Sequence, residues 1–299
     1  MADDNALIRL QRNNNTKSAD LWAESASHRH IITQLLQRAT AAPPDRAGQR
    51  LAVLGAGNSN DLELATLLKL YAEVALIDLD GEALSRGVQA QNPGGHPGLK
   101  LFGDFDVSGI IDDLSTYETG TKSDECLNDL VRLASSADIP MPDASGAAGG
   151  DASGGGEGGF DAVISTCLLS QIIACVQRVA GENSPAALKL IEAVRLRHLQ
   201  LISGWLRPGG QGLLVTDFNS SDAVPDLASI PAQALPQTLV GLIKQQNFFT
   251  GLNPFGIQAL FKEDPVLAQH THDVRCTKPW LWDFGSRHYA VVAVMFTRR

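Results

Sequence analysis

Short apolar runs alternate with amphipathic stretches along most of the chain. The apolar runs end at glycines or acidic residues, as buried strands do, and the stretches between them carry leucines at helical spacing. Strands separated by helices predict a parallel sheet covered on both faces. The predicted strands are residues 49–54, 73–80, 99–103, 160–165 and 211–218, and the predicted helices are residues 61–70, 82–91 and 188–206, with a helix-prone stretch at 106–134.

Helical segments and a hairpin flank this alternating core. Residues 19–39 predict an amphipathic helix, so we assign residues 1–48 to a helical cap and residues 49–299 to the α/β domain. A second helical segment lies at about 222–264, and its phenylalanines either cover the sheet or face a substrate. These phenylalanines are Phe248, Phe249, Phe255 and Phe261. Residues 280–296 predict a terminal β-hairpin.

One segment inside the chain is unusually rich in glycine. Eight of the 28 glycines fall between Gly146 and Gly159, among alanine, serine and acidic residues that have little to bury. Such a segment is either a linker between two domains or an insertion within one. Because strands are predicted on both sides of it, we expect an insertion at about 143–159 in one doubly wound sheet.

Composition limits the class of protein. Hydrophobic residues make up 44% of the chain, enough for a sizeable core, and the formal net charge is −9 without any basic cluster. We therefore expect no nucleic acid partner and, without a long apolar run or a signal peptide, no membrane partner and a cytoplasmic location. The four cysteines lack zinc spacing and are predicted to be reduced, and no metal site is expected.

The first strand-to-helix turn predicts a nucleotide-type cofactor. Gly55 and Gly57 let the backbone approach a ligand, and Asp78 follows the next strand, where a carboxylate can bind ribose hydroxyls. A dinucleotide fingerprint would place a third glycine at position 60, where this chain has Asn60. That difference argues against NAD. Asn58 or Asn60 is the expected N-cap of the following helix.

Five motifs in order then resemble one family. LAVLGAGNSNDLEL is similar to motif I of the class I S-adenosylmethionine-dependent methyltransferases, of the bacterial type with a GAGN motif. VALIDLD, LFGDFDVSGI, FDAVISTCLLSQI and WLRPGGQGLLVTDF resemble the segments that follow it in that family. The resemblance spans residues 50–218 and implies a Rossmann-like, mostly parallel seven-stranded sheet with an antiparallel C-terminal hairpin strand.

The resemblance also implies a set of cofactor-binding residues. The first turn would line the amino-acid part of the cofactor, Asp78 would hold the ribose, and Asp104 or, by preference, Asp106 would bind the adenine amino group. Residues at the end of the fourth strand would lie near the methionine end and the substrate. The full set is Gly55, Ala56, Gly57, Asn58, Asp78, Leu79, Asp104, Phe105, Asp106, Ser165, Thr166 and Cys167.

The acceptor is less clearly indicated by the sequence. Trp22 and Gln171 are candidate substrate contacts, although Gln171 could also cap its helix, and Cys167 is either a nucleophile or a core residue. No general base stands out, and Ser165 to Leu168 lack the Asn/Asp-Pro-Pro-aromatic signature of amino-methylating enzymes, which argues against an exocyclic amine as the acceptor. We expect methyl transfer to a small molecule. A non-catalytic cofactor-binding protein, or transfer of another group from the same cofactor, remains an alternative.

Other polar residues have structural interpretations. Asp80 is expected to be a helix N-cap. His270 and His272 have the spacing of two metal ligands on a strand but no third ligand nearby, so a solvated strand end is expected. His28, Arg29 and His30 are predicted to lie on the polar face of a helix.

Overall fold

The strands form one sheet flanked by helices. The computed structural model describes residues 5–39, 48–91, 95–120, 123–142, 159–181 and 184–299. The strands are β1 (Arg50–Leu54), β2 (Glu73–Ile77), β3 (Leu99–Phe102), β4 (Phe160–Thr166), β5 (Leu206–Ser220), β6 (Thr271–Cys276), β7 (Trp280–Asp283) and β8 (His288–Arg298). The helices are α1 (Ala6–Lys17), α2 (Ala26–Ala39), α3 (Leu64–Leu70), α4 (Gly81–Gln91), α5 (Ile111–Thr119), α6 (Asp124–Ser136), α7 (Leu168–Ala180), α8 (Pro185–Trp205), α9 (Leu235–Lys244), α10 (Pro254–Glu263) and α11 (Pro265–His270).

The order of the strands confirms the predicted fold class. The sheet runs β3-β2-β1-β4-β5-β8-β6, with β7 also paired to β8. β1 to β5 are parallel, and β8 is antiparallel to β5, β6 and β7. β6 and β7 pair with successive parts of β8, so they occupy one edge position of the sheet. Pro279, which has no amide hydrogen for the ladder, lies between them.

Alternate side chains of the central strands enter two cores. Leu51 and Val53 of β1 pack on one face with α2 and α3, whereas Ala52 and Leu54 pack on the other with α7 and α8. Because successive side chains of a strand point to opposite faces, a short apolar run serves both cores. This burial fixes the position of the loop after β1.

The region before β1 differs from the predicted helix. Residues 18–25 form turns, and α2 begins only at Ala26, so the predicted helix over 19–39 is wrong in its first part. The predicted polar face is also wrong for two residues, since His28 is fully buried and Arg29 is 8% exposed. His28 lies on the side of α2 that packs toward β7, whereas Arg29 donates to the carbonyls of Trp22 and Asn60.

Two further segments differ from the sequence expectation. The predicted turn at Pro208–Gly210 lies within β5, where Phe160 and Ala162 of β4 pair with Leu206 and Gln211, so the extra residues form a bulge. The spacing of apolar residues in the sequence did not predict α1 or α7 as separate helices. The glycine-rich segment falls mostly outside the described residues, which end at 142 and resume at 159. β4, which follows it, pairs with β1, which precedes it.

No helix in the described ranges is long and apolar enough to cross a membrane.

Candidate active site

The carboxyl ends of β1, β2 and β4 meet at the point where the strand order reverses. Gly55 follows β1, Asp78 follows β2, and Thr166 ends β4, which lies beside β1. Successive connections leave this point in opposite directions, from β1 toward β3 on one side and from β4 toward β5 on the other. Open α/β sheets bind ligands in the crevice that this reversal creates.

The loop after β1 requires glycine at two positions. Gly55 has a φ of +75°, and a Cβ there would lie 2.7 Å from the Cβ of Leu168. Gly57 has a φ of +46°, and a Cβ there would lie 3.2 Å from Oδ1 of Asn15. The loop therefore brings bare backbone to the crevice.

Asp78 is a partly buried carboxylate held by backbone amides. Its Oδ2 accepts a hydrogen bond from the Gly57 amide at 2.8 Å, and its Oδ1 accepts one from the Asp80 amide at 2.9 Å. Burial raises the pKa of Asp78 to about 6, although these two hydrogen bonds favour the charged form. Asp78 lines a small cavity of about 50 Å³ together with Leu79 and Phe105.

The loop after β3 distinguishes the two candidate aspartates. Asp106 lines the small cavity, and its Oδ1 accepts from the Ser108 amide at 2.8 Å while Oδ2 accepts from the Ile111 amide at 2.9 Å. Asp104, with a φ of 53°, has a side chain 78% exposed that pairs with Arg12 at 3.2 Å. Asp104 lines neither described cavity, so the geometry favours Asp106 for a contact with a bound base.

The three residues at the end of β4 face different surroundings. Ser165 is fully buried, and its Oγ lies 2.8 Å from Nε2 of His198 on α8, away from both cavities. Thr166 donates from Oγ1 to the Gly55 carbonyl at 3.0 Å. Cys167 is buried, and its pKa is raised, first by burial and then by the charges of Asp217 and Asp61. The thiol therefore stays protonated, which makes it a poor nucleophile.

Helix α1 covers the crevice and was not delimited by its sequence pattern. Asn58 donates from Nδ2 to the Asn15 carbonyl at 2.6 Å, and Asn60 donates to the Ser18 carbonyl at 2.6 Å. Neither asparagine is the N-cap of α3, because that position is Glu63. Asn15 in turn donates to Oδ2 of Asp80 at 3.1 Å, while Oδ1 of Asp80 caps α4 at Ala83, as expected.

A second, larger cavity of about 910 Å³ continues from the small one. Its walls include Ala56, Gly57, Asn58, Thr166 and Cys167. The two cavities share the residues Gln11, Asn15, Gly55, Gln171 and Cys175.

The two candidate substrate contacts have different positions. Gln171 lines both cavities, and its Nε2 also lies 3.5 Å from the Cys167 carbonyl, so it faces the site and the start of α7 at once. Trp22 lines neither cavity, and the guanidinium of Arg29 lies 3.4 Å from the centre of its ring. A substrate contact by Trp22 therefore has no support from the cavity walls.

One wall of the larger cavity combines two carboxylates with aromatic rings, and of these residues the sequence pattern indicates only Phe248 and Phe249 as possible substrate contacts. Asp217 lies near the end of β5 and Asp61 in the loop before α3. Burial raises the pKa of Asp217 to about 6 and that of Asp61 to about 7. An acidic residue inside the apolar run LLVTDF was the only sequence signal for Asp217. The aromatic residues of this wall are Phe248, Phe249, Trp282, Phe284 and Tyr289.

The other phenylalanines and the paired histidines lie elsewhere. Phe261 is buried against Phe296 at 4.7 Å between ring centres, and Phe255 is exposed. His270 ends α11, whereas His272 lies in β6 beside Asp273. Within the described ranges, no three histidine, cysteine or acidic side chains lie close enough together to hold a metal ion.

Comparisons with known proteins give structural matches only. No family model matches the sequence, and no curated protein matches it. The YcgJ protein from Bacillus subtilis is 13% identical over 90% of this chain and 97% of that chain, with a TM-score of 0.42. The magnesium protoporphyrin IX methyltransferase from Synechocystis, solved with bound S-adenosylhomocysteine, is 10% identical over 95% of this chain and 86% of that chain, with a TM-score of 0.43. An arsenic(III) S-adenosylmethionine methyltransferase from Chlamydomonas reinhardtii is 13% identical over 86% and 65%, with a TM-score of 0.37. At these identities and TM-scores the three matches assign no reaction to this chain.

Proposed function

We propose that this chain binds S-adenosylmethionine and transfers its methyl group to a small-molecule acceptor. The observation that carries the proposal is the position of Asp78. Its partly buried carboxylate accepts a hydrogen bond from the Gly57 amide at 2.8 Å and lines the crevice beside the glycine loop. A ribose there can use the remaining lone pairs of the carboxylate, and the amino-acid part of the cofactor can lie along the bare backbone.

The residues around Asp78 fit the proposed cofactor in kind. Leu79 and Phe105 offer apolar surface to an adenine ring, and Asp106 lies at the same cavity. Gly55 and Gly57 would line the methionine part. When bound, the cofactor supplies an activated methyl group on a sulfonium. Gln11 and Asn15 of α1 form the part of the cavity wall that the covering helix supplies.

The position of Asn60 supports this cofactor over NAD. A dinucleotide loop uses a third glycine to bring the helix close to the pyrophosphate. Here Asn60 donates to the Ser18 carbonyl at 2.6 Å and so holds the segment after α1 against the loop. The Asn60 side chain therefore holds the segment that covers the site, at the position where a dinucleotide-binding loop has its third glycine.

The larger cavity supports catalysis over cofactor binding alone. About 910 Å³ of space adjoins Gly55, Thr166 and Cys167, where an acceptor would meet the methyl group. The chain's part in the reaction is to align the acceptor and exclude water, and α1 covers the crevice on its open side.

Calorimetry on the full chain tests the proposal. We expect S-adenosylmethionine and S-adenosylhomocysteine to bind and NAD not to bind. Binding of NAD without either methionine cofactor would overturn the proposal. A transfer assay with labelled methyl groups then tests catalysis separately from binding.

A further inference from the structure

The larger cavity contains two carboxylates with unsatisfied oxygens. Asp217 is 6% exposed, and Ser170 and Cys167 lie near enough to its carboxylate to favour the charged form, but its Oδ1 accepts no well-formed hydrogen bond from the described residues. Oδ1 of Asp61 also lacks such a bond there, and its nearest basic nitrogen given by the structure is Nε2 of His28 at 3.8 Å. The charge of Asp217 is near enough to raise the pKa of Asp61. Two such carboxylates in one cavity favour a ligand that brings hydrogen-bond donors and positive charge.

Two arginines near the pair form ion pairs with other residues. Arg287 lies at the cavity wall but pairs with Asp222 at 2.9 Å. Arg29 lies close enough to lower the pKa of Asp61, yet its Nε pairs with Glu63 at 3.5 Å. These arginines therefore leave the unsatisfied oxygens to a ligand.

Aromatic rings line the same part of the cavity. Trp282 lies 5.0 Å from Phe284 and 5.4 Å from Tyr289 between ring centres, and Phe284 and Tyr289 lie 5.8 Å apart. Trp282 stacks on His28 at 4.4 Å, which places this group next to the Asp61 side of the cavity. Tyr289 is near enough to Asp217 for its pKa to be raised by that charge. The faces of aromatic rings attract cations such as ammonium groups, and more strongly where the site is shielded from water.

We propose that the acceptor is a small alkyl amine, a class distinct from the exocyclic amines whose signature this chain lacks. Its nitrogen binds between Asp61 and Asp217, and its apolar part packs on Trp282, Phe284 and Tyr289. The amine site stands on these contacts, whereas its use in methyl transfer rests on the function proposed above. Anionic acceptors are disfavoured by the same two carboxylates.

Asp217 can accept the proton that an ammonium group must lose before its nitrogen takes up a methyl group. A primary ammonium gives one proton to the Asp217 carboxylate and becomes a neutral amine. Its lone pair forms the new N–C bond as the C–S bond breaks, with the electron pair of that bond going to sulfur. The product leaves as a methylated ammonium, and Asp217 returns its proton to solvent.

The test is calorimetry on the full chain with a defined series of probes, in the presence and absence of S-adenosylhomocysteine. The amines are butylamine, benzylamine, phenethylamine and tryptamine, and the matched probes are the corresponding alcohols and carboxylic acids. We expect members of the amine series to bind about tenfold or more tightly than their alcohols, and the acids not to bind. The inference is overturned if no amine binds, or if alcohols or acids bind as well.

Two variants and a control assign the binding to the carboxylates. Asp217→Asn and Asp61→Asn should each weaken amine binding about tenfold or more, because each removes a charge at nearly constant shape. The control Asp226→Asn alters an exposed carboxylate that lines neither cavity and should leave amine affinity unchanged. Retained amine affinity in both cavity variants would overturn the inference.

Cofactor binding separates this inference from the proposed function. Each variant is checked for folding by its circular dichroism and cooperative unfolding. Amine binding without S-adenosylhomocysteine binding would reject the proposed function but keep the amine site. Binding of S-adenosylhomocysteine without any amine would reject the amine site alone.

Discussion

The indole of Trp280 donates its Nε1 hydrogen to Nδ1 of His28 at 2.9 Å. An indole nitrogen can only donate, so Nδ1 of His28 is the acceptor and the proton of the neutral ring is on Nε2. Nε2 lies 3.8 Å from Oδ1 of Asp61. A residue from the last strand pair thus sets the tautomer of a helix residue beside the proposed amine site.

We predict that His28 stays neutral throughout the physiological range. Burial is the main cause that lowers its pKa to about 3, and the charge of Arg29 adds to it. Nitrogen-15 NMR of the imidazole should show the Nε2–H tautomer without titration between about pH 5 and pH 8. His30, which is exposed, serves as the internal comparison. Titration of His28 near its ordinary pKa would contradict the buried position.

Gly55→Ala should damage both the fold and the site. Its φ is +75°, and the new Cβ would lie 2.7 Å from Cβ of Leu168. We expect a loss of about 2–4 kcal/mol in the free energy of unfolding, from the left-handed backbone and the overlap together. Chemical denaturation measures this loss, and calorimetry should show weaker S-adenosylhomocysteine binding.

The matched control for this glycine is Gly204→Ala in α8. A Cβ at Gly204 meets nothing within 4 Å, and its backbone is helical. Alanine there should raise the free energy of unfolding by about 0.5–1 kcal/mol and leave cofactor affinity unchanged. Equal effects at the two glycines would show that the loop after β1 has no special conformation.

Asp78→Asn should weaken S-adenosylhomocysteine binding about 5- to 150-fold, equivalent to about 1–3 kcal/mol. The reason is that a partly buried carboxylate is replaced by an amide that accepts fewer hydrogen bonds from the ribose hydroxyls. Glu82→Gln, in the neighbouring helix with a side chain 89% exposed, is the matched control. Unchanged affinity in Asp78→Asn would move the ribose site away from β2.

A second pair of variants distinguishes Asp106 from Asp104. Asp106→Ala removes the acceptor of the Ser108 and Ile111 amides at the cavity, so both stability and S-adenosylhomocysteine affinity should fall. The expected stability loss is about 1–2 kcal/mol, as for a lost helix cap. Asp104→Ala removes only an exposed ion pair with Arg12, worth about 1 kcal/mol or less. A larger loss of affinity in Asp104→Ala than in Asp106→Ala would reverse the assignment.

The site residues that the sequence predicted lie next to strands that the sequence also predicted. Gly55 and Asp78 each follow directly after a buried strand, so the strand pattern fixes where they lie in a parallel sheet. The same reasoning recovered β1 to β4 within a few residues. At Pro208–Gly210 the same reasoning predicted a turn where the structure has a bulge in β5. Proline and glycine occur in both turns and bulges, and only the pairing of β5 with β4 distinguishes the two.

The parts that the sequence did not predict depend on distant contacts. α1 buries only Leu7 and Ile8, and all its residues after Leu10 are polar, so its apolar stripe is too short to delimit the helix. Its position is set by hydrogen bonds such as that from Asn58 to Asn15, 43 residues apart. His28 and Trp280 are 252 residues apart. A polar residue in a helix cannot be assigned to the interior until its partner in another element is known.

Asp217→Asn should stabilise the protein increasingly as pH rises. Burial raises the pKa of Asp217 from 3.8 in the unfolded chain to about 6 in the folded protein. Between these values the folded state holds the extra proton, so the stability linked to protonated Asp217 is present at low pH and is lost as pH rises through about 6. Asparagine does not ionise and avoids this loss. The gain in free energy of unfolding should reach about 1–3 kcal/mol above neutral pH and vanish near the ordinary pKa of aspartate.

Denaturation curves of both proteins across this pH range measure the gain, with Asp226→Asn as the exposed control. Asp61, whose pKa is raised to about 7 partly by Asp217, should titrate at lower pH in the variant, because the neighbouring charge is gone. A gain that is constant with pH would mean that Asp217 is not held at a raised pKa. A gain that follows pH, together with lost amine binding, would show that the protein gives up stability at Asp217 to keep a charge in its larger cavity.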